Sequence, residues 1–298
     1  MKSIWFTFTF VLIALITRPV GVLAQGPPIN TDTPILLGLE GKAAMVRVMV
    51  VKKSQLYQDG EKISDSLQRE VDGMMFPIAI PYNITSDFLV GGMIPLMNVR
   101  AKSLSGSSSS FGLGDLSLFA KYLVVQIDGL QETFRIIGKG SIKLPTGNKN
   151  LTPPLGTGTV DYSLGAVSAW IGKRFGVYGD VSYSLNGTSG GYKFGNSLNY
   201  NVALGFRALP AVYETYPTEQ WNLYLELNGK HTGKDEVNEQ ELSNTGGNII
   251  FLSPGVQYIP SREFILEASV QIPISQKLNG TQLGTSVIGL IGVRALFF

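Results

Sequence analysis

Along residues 133–144 the side chains alternate strictly between two faces. Phe134, Ile136, Gly138, Gly140, Ile142 and Leu144 fall on one, and Arg135, Ile137, Lys139, Ser141 and Lys143 on the other. A loop rich in Pro, Gly, Asn and Thr follows over 145–157. Alternation then resumes, with Val160, Tyr162, Leu164, Ala166 and Trp170 on one side and Asp161, Ser163 and Gly165 opposite. Strand side chains repeat with period two, so this stretch predicts a long hairpin with one apolar and one mostly polar face. In a soluble sheet the apolar face would cover a core. In a transmembrane barrel it would meet lipid, with the polar face turned inward.

The same pattern recurs along the chain. Residues 25–40, with Pro27, Pro28 and Pro34, read as a short extended lead-in. Residues 43–53 form the first predicted strand, with Val46, Val48 and Val50 against Met45, Arg47 and Met49. Residues 54–70 are polar and predict an exposed loop. Strands follow over 71–80 and 87–99, with a turn at Pro81-Tyr82-Asn83; Pro77 and Pro95 predict bulges or strand ends, because proline cannot donate to a ladder. Residues 104–110 read as a Ser/Gly loop and 114–125 as a strand. Further strands are expected over 177–186, 198–208, 221–232, 248–258, 264–275 and 286–298, separated by links at 187–195, 209–220 and 233–247.

The total is about twelve strands of ~10 residues, with short links at one end and longer polar ones at the other, which is the signature of an outer-membrane barrel. The short turns should then face the periplasm, with both termini beside them. A secreted sandwich would alternate too, but would not need so many apolar-outward strands in series, nor Tyr and Trp near so many strand ends. The chain ends on Phe297-Phe298, resembling the aromatic terminus by which the barrel-assembly machinery selects its clients. Val287, Ile291, Val293, Ala295 and Phe297 form the cleaner apolar face of the last strand. Phe297 is therefore expected to face lipid and Arg294 the lumen.

Composition narrows the picture. Of 298 residues only 15% are charged and none is cysteine, so there is neither a disulfide framework nor a thiolate metal site. A formal net charge of +2 gives no reason to expect nucleic acid as a partner. Lys2, the apolar run 4–16 and Val22-Leu23-Ala24 read as a signal peptide over 1–24, cleaved between Ala24 and Gln25, which leaves 25–298 as one barrel domain. The alternative, an uncleaved anchor, has a run shorter than the roughly 20 residues a spanning helix needs.

Short Gly/Pro-rich motifs, ordered from about Phe111 to Phe298, carry a resemblance. They are Gly112-Leu113-Gly114-Asp115-Leu116 with Lys121-Tyr122, Lys143-Leu144-Pro145-Thr146-Gly147, Gly156-Thr157-Gly158-Thr159, Asp161-Tyr162, Ser253-Pro254-Gly255, Val270-Gln271-Ile272-Pro273 and Leu278-Asn279-Gly280. Together they resemble the outer-membrane transporter family of the meta-pathway of phenol degradation. The resemblance implies a barrel in a Gram-negative outer membrane that passes small solutes, apolar and aromatic compounds among them.

The inward faces supply the candidate site. Asp161, Asp180, Glu226 and Glu267 are the expected inward acids; Arg135, Lys139, Lys143, Arg207, Lys230 and Arg294 are the expected inward bases. A charge inside a barrel must be solvated or paired. These ten side chains therefore either knit the lumen with ion pairs or form a mixed-charge constriction that selects solutes. Small inward residues such as Ser117, Ser141, Ser163 and Ser182 leave room for a channel. The competing class is a non-conducting structural or surface-anchor barrel. Leu225→Arg is expected to cost about 2–4 kcal/mol near the bilayer midplane, and Glu226→Gln to be far milder unless Glu226 is ion-paired.

Catalysis is not expected: the single histidine, His231, is followed by Thr232 and Gly233, not by a serine two residues on along the same face. Asp235, Glu236, Glu239 and Glu241 are expected to form a solvated acidic loop, with divalent-ion binding the alternative. No cofactor and no metal site are anticipated.

Overall fold

The computed structural model describes residues 26–213 and 218–297. The signal-peptide segment 1–24 with its cut after Ala24, and the terminal Phe298, lie outside the described residues. Twelve antiparallel strands, each paired to the next, close into a barrel. In chain order they are β1 (Lys42–Gln58), β2 (Glu70–Asn83), β3 (Phe88–Ser103) and β4, which runs in two pieces (Gly106–Leu113 and Leu116–Asp128). Then come β5 (Thr133–Leu144), β6 (Asp161–Ile171), β7 (Phe175–Leu185) and β8 (Ser197–Leu209). The last four are β9 (Gln220–Thr232), β10 (Gly247–Ser261), β11 (Phe264–Leu278) and β12 (Thr281–Phe297). The seam between β12 and β1 runs from Lys42↔Phe297 to Gln58↔Thr281, so no sheet edge is left open.

The exterior is apolar because alternation points one residue in two outward. Leu164, Val202, Leu204, Leu223, Leu225, Leu227 and Ile291 all stand exposed on it, the face a bilayer requires. At the short-turn end Trp221 stacks on Tyr258 with ring centroids 4.5 Å apart, and Phe175 packs on Phe206 at 4.8 Å. With exposed Trp170, Phe264 and Phe297, these rings form an aromatic girdle. The connections at this end are short (84–87, 129–132, 172–174 and 262–263), apart from 210–219. At the other end 59–69, 145–160, 186–196 and 233–246 are long, while 104–105 and 279–280 are tight.

Four local expectations change. β1 runs on to Gln58, and Glu61–Ile63 pairs back on it, where a loop was expected over 54–70. The segment 104–110 holds a hairpin, since Ser107–Ser110 pair with β3. Pro81-Tyr82-Asn83 is strand, and the turn follows it. Pro77 and Pro95 sit directly opposite each other in an unshifted β2–β3 ladder, where bulges or ends were expected. Each proline's missing donor falls on its strand's other edge. Pairing of β1 with β2 steps from Val46↔Ile78 to Met49↔Met75, and β4 breaks at Gly114–Asp115, beside Pro95. The loops 186–196 and 233–246 are also joined, through a separate small sheet of four short strands.

Candidate functional site

Residues 26–37, read from sequence as a lead-in, lie inside the barrel. Prolines 27, 28 and 34 have no N–H, so this stretch cannot join a ladder, and its remaining backbone polar groups need other partners. Lumen side chains supply them. The Tyr178 and Tyr224 hydroxyls donate to the Gly26 carbonyl (3.3 and 2.5 Å), and Gln257 Nε2 donates to the Pro27 carbonyl (3.0 Å). Arg294 Nη2 donates to the Pro28 carbonyl (2.8 Å) and Arg47 Nη2 to the Ile29 carbonyl (3.0 Å). The donors that follow all meet one carboxylate: Glu226 accepts from the N–H groups of Ile29, Asn30 and Thr31.

Glu267 does not touch the segment. It bridges the two arginines, 2.8 Å from Arg47 and 2.6 Å from Arg294, and so fixes both forks on the carbonyls they hold. The side chains of Glu226 and Glu267 are fully buried, a cost of several kcal/mol each unless compensated; here every carboxylate oxygen has donors. The segment is thus a plug, clamped through its main chain in the short-turn half of the lumen.

The plug's one charged residue makes the next contact. Asp32 pairs with Lys121 and, at 3.2 Å, with Lys139; Lys139 also reaches Asp180 at 3.0 Å. The Asp32 N–H donates to Asp180 (2.9 Å), which also accepts from Asn201 (3.0 Å). Burial alone would raise the Asp32 pKa, but Lys121 and Lys139 outweigh it and hold the carboxyl well below the usual carboxylate range. The segment then returns to the short-turn rim, where the Leu37 N–H donates to Asn83.

The long-loop half is organised separately. Lys143 bridges Asp115 (3.2 Å) and Asp161. Asp115 accepts from the Gly147 and Thr157 N–H groups, which folds loop 145–160 against the break in β4. A Cβ at Gly114 would lie 2.7 Å from Met97 Sδ and 2.9 Å from Pro95 Cγ, so only glycine fits there. Asp161 accepts from the Gly187 N–H, tying in the next loop.

Between plug and wall lies a cavity of about 880 Å³ with two unlike sides. β1, β2 and β3 contribute Met45, Met49, Met75 and Met93, and β4 adds Phe119, whose ring covers Gly91 so closely that a Cβ there would sit 2.4 Å away. The other side is polar, with Ser141, Ser163, Asp180, Asn199, Asn201 and Lys230. Methionines adapt to many apolar shapes, so this wall can receive small apolar bodies without one fixed fit.

Seven of the ten residues singled out from sequence fall in two clusters: Lys139, Asp180, Glu226, Glu267 and Arg294 hold the plug or its partners, and Asp161 joins Lys143 at the upper loops. Lys230 lines the cavity. Arg135 bonds Thr133 (3.3 Å), and Arg207 is buried near the short-turn rim with its guanidinium 4.1 Å above the Tyr213 ring; neither joins a cluster. Among the described residues Glu226 makes no ion pair, yet it anchors three plug N–H groups, so Glu226→Gln is expected to act on the docking of the plug even where it spares the barrel. Sequence reasoning missed Asp32, Arg47, Lys121 and Gln257, whose roles appear only once the plug is in place. In the acidic loop, Asp235 accepts from Tyr192, Glu236 pairs with Lys193 and Glu241 with Lys234. Among the described residues no group of acids or histidines could hold a metal ion.

The family model described as "Putative MetA-pathway of phenol degradation" matches residues 78–287. No curated protein matches the sequence. Among solved structures, the COG4313 outer membrane channel from Pseudomonas putida F1 is 15% identical with a TM-score of 0.69, over 92% of this chain and 100% of that one. The β domain of the Bordetella autotransporter Brka is 11% identical with a TM-score of 0.49, over 87% of this chain and 100% of that one. At 15% identity the first likeness is one of fold, that of an outer-membrane barrel.

Proposed function

This chain belongs to the MetA-pathway of phenol degradation family, and on that premise we propose that it is an outer-membrane channel for small apolar or aromatic solutes. The observation that carries this reading is the cavity of about 880 Å³ with a methionine and phenylalanine wall, enclosed by a barrel whose exterior suits lipid. The solute path runs along this wall, with Lys139, Asp180 and Lys230 on its polar side and Lys143 with Asp161 at the long-loop mouth. The chain reaches the membrane through a cleaved signal peptide over 1–24 and the barrel-assembly machinery. The short turns face the periplasm, and the protein catalyses no reaction.

A second reading has its own observation: the clamp on residues 26–31 favours a barrel kept shut as a structural anchor. Conductance in planar bilayers separates the two. The channel reading expects open steps whose selectivity moves toward cations in Lys139→Glu and Lys143→Glu, together with uptake of neutral aromatic solutes into liposomes. Correctly folded barrel with neither conductance nor uptake would hand the case to the anchor.

A further inference from the structure

The plug carries one charge, and it is docked beside the cavity. Between Gly26 and Leu37 every residue except Asp32 is uncharged. The Asp32 carboxylate meets two ammonium groups, Lys121 on β4 and Lys139 on β5, and all three side chains line the cavity. They are one-sixth to one-quarter exposed, so a solute in the cavity can reach them. Lys139 keeps Asp180 as a wall partner, whereas among the described residues Lys121 bonds to the plug alone, to Asp32 and to the Thr33 carbonyl. With Asp32 withdrawn, the wall here carries two lysines against one acid. Phe119 lies two residues from Lys121 on the same face of β4, so their backbone positions stand roughly 7 Å apart along the strand and both side chains line the cavity.

We propose that Lys121 and Lys139 form a carboxylate-binding site on the solute path, occupied in cis by Asp32. Its ligands are small acids with an apolar body, the carboxylate replacing Asp32 on the lysines and the body lying on Phe119 and the methionine wall. The inference rests on the channel reading and narrows it from apolar solutes in general to apolar acids. It also makes binding and plug release a competition, because ligand and Asp32 use the same two ammonium groups. Neutral solutes of the same shape fill the apolar side without displacing Asp32.

The test is fluorine NMR titration of the full chain in detergent with 4-fluorobenzoate, 4-fluorobenzyl alcohol and fluoroacetate, corrected for empty micelles. The acid should bind at least about tenfold more tightly than the alcohol, the weight of one charge-assisted hydrogen bond, and fluoroacetate, which lacks the body, should bind weakly. Asp32→Asn removes the competitor and should tighten 4-fluorobenzoate at least about fivefold more than it tightens the alcohol. Lys121→Gln should erase the acid's advantage. Heat-modifiable gel mobility verifies the fold of each variant, and Asp32→Asn, which alters no barrel residue, keeps the test open if Lys121→Gln does not fold. Equal binding of acid and alcohol by both wild type and Asp32→Asn would overturn the proposal while leaving the channel intact. Absence of conductance and of alcohol uptake, measured on the same preparation, would instead overturn the channel reading.

Discussion

Glu226→Gln is the sharpest probe of the clamp. The carboxylate accepts from three consecutive N–H groups, at 3.0 Å from Ile29 and 3.0 and 3.1 Å from Asn30, and also from Thr31. Glutamine keeps one acceptor oxygen and turns an amide NH2 toward donors, so at least one buried N–H loses its partner. Each hydrogen bond to a charged group is worth about 1.5–3 kcal/mol, and leaving a buried donor unmet adds to the loss, so docking should weaken by about 3–5 kcal/mol. The barrel should be spared, because β9 keeps its backbone ladders through Ala203↔Glu226 and Glu226↔Ser253. At about 1.4 kcal/mol per tenfold, even 3 kcal/mol raises the undocked population more than a hundredfold.

The chain has no cysteine, so a single Ile29→Cys thiol reports docking cleanly: Ile29 is 1% exposed in the docked plug. Its labelling rate by a charged thiosulfonate should rise by at least about thirtyfold when Glu226→Gln is added, with gel mobility of the folded barrel unchanged. A rise under about threefold would refute the claim that Glu226 holds the plug.

Other outcomes follow from the same geometry. Leu225→Arg puts a charge on the lipid face and should cost about 2–4 kcal/mol near the midplane, read as urea resistance in liposomes, whereas Leu225→Ala should cost far less. Asp32 has a lowered pKa, so its contribution to docking is complete above the ordinary value of 3.8 and is lost only as pH falls through the lowered folded value. Conductance should therefore be flat from about pH 8 to 5; an opening transition near pH 6 would assign the latch to another group. Gly114→Ala drives a methyl into Met97 and Pro95 and should cost about 1–3 kcal/mol in barrel stability, measured by denaturant titration.

Much of the barrel was legible because lipid outside and polar groups inside impose a period of two that no local irregularity hides. The faces of β5, β6, β8 and β9 follow directly from it, as does the inward Arg294 beside an outward Phe297. Strand ends were harder to read. Polar sequence extends past the membrane in β1 and in the first piece of β4, where Ser107–Ser110 look like a loop yet complete a ladder. The facing prolines misled because a missing donor matters only on the edge where the ladder needs it. The plug was illegible for a deeper reason. Its sequence has no periodicity, and its partners are scattered over strands from 18 to 266 residues away. Glu226 and Arg294 could be placed inward, but nothing along the chain says that main-chain groups would satisfy them.

That separation has a consequence for biogenesis. The segment 26–37 precedes every described strand, yet its clamp draws on Arg47 of β1, Glu226 of β9 and Arg294 of β12 at once. These groups surround a common space only after the seam between β12 and β1 has zipped, from Lys42↔Phe297 to Gln58↔Thr281. A segment that precedes the described strands must therefore be the last to settle. A newly inserted barrel would pass through an unstoppered stage, when the membrane is most exposed to leakage, until the segment is drawn in from the short-turn end.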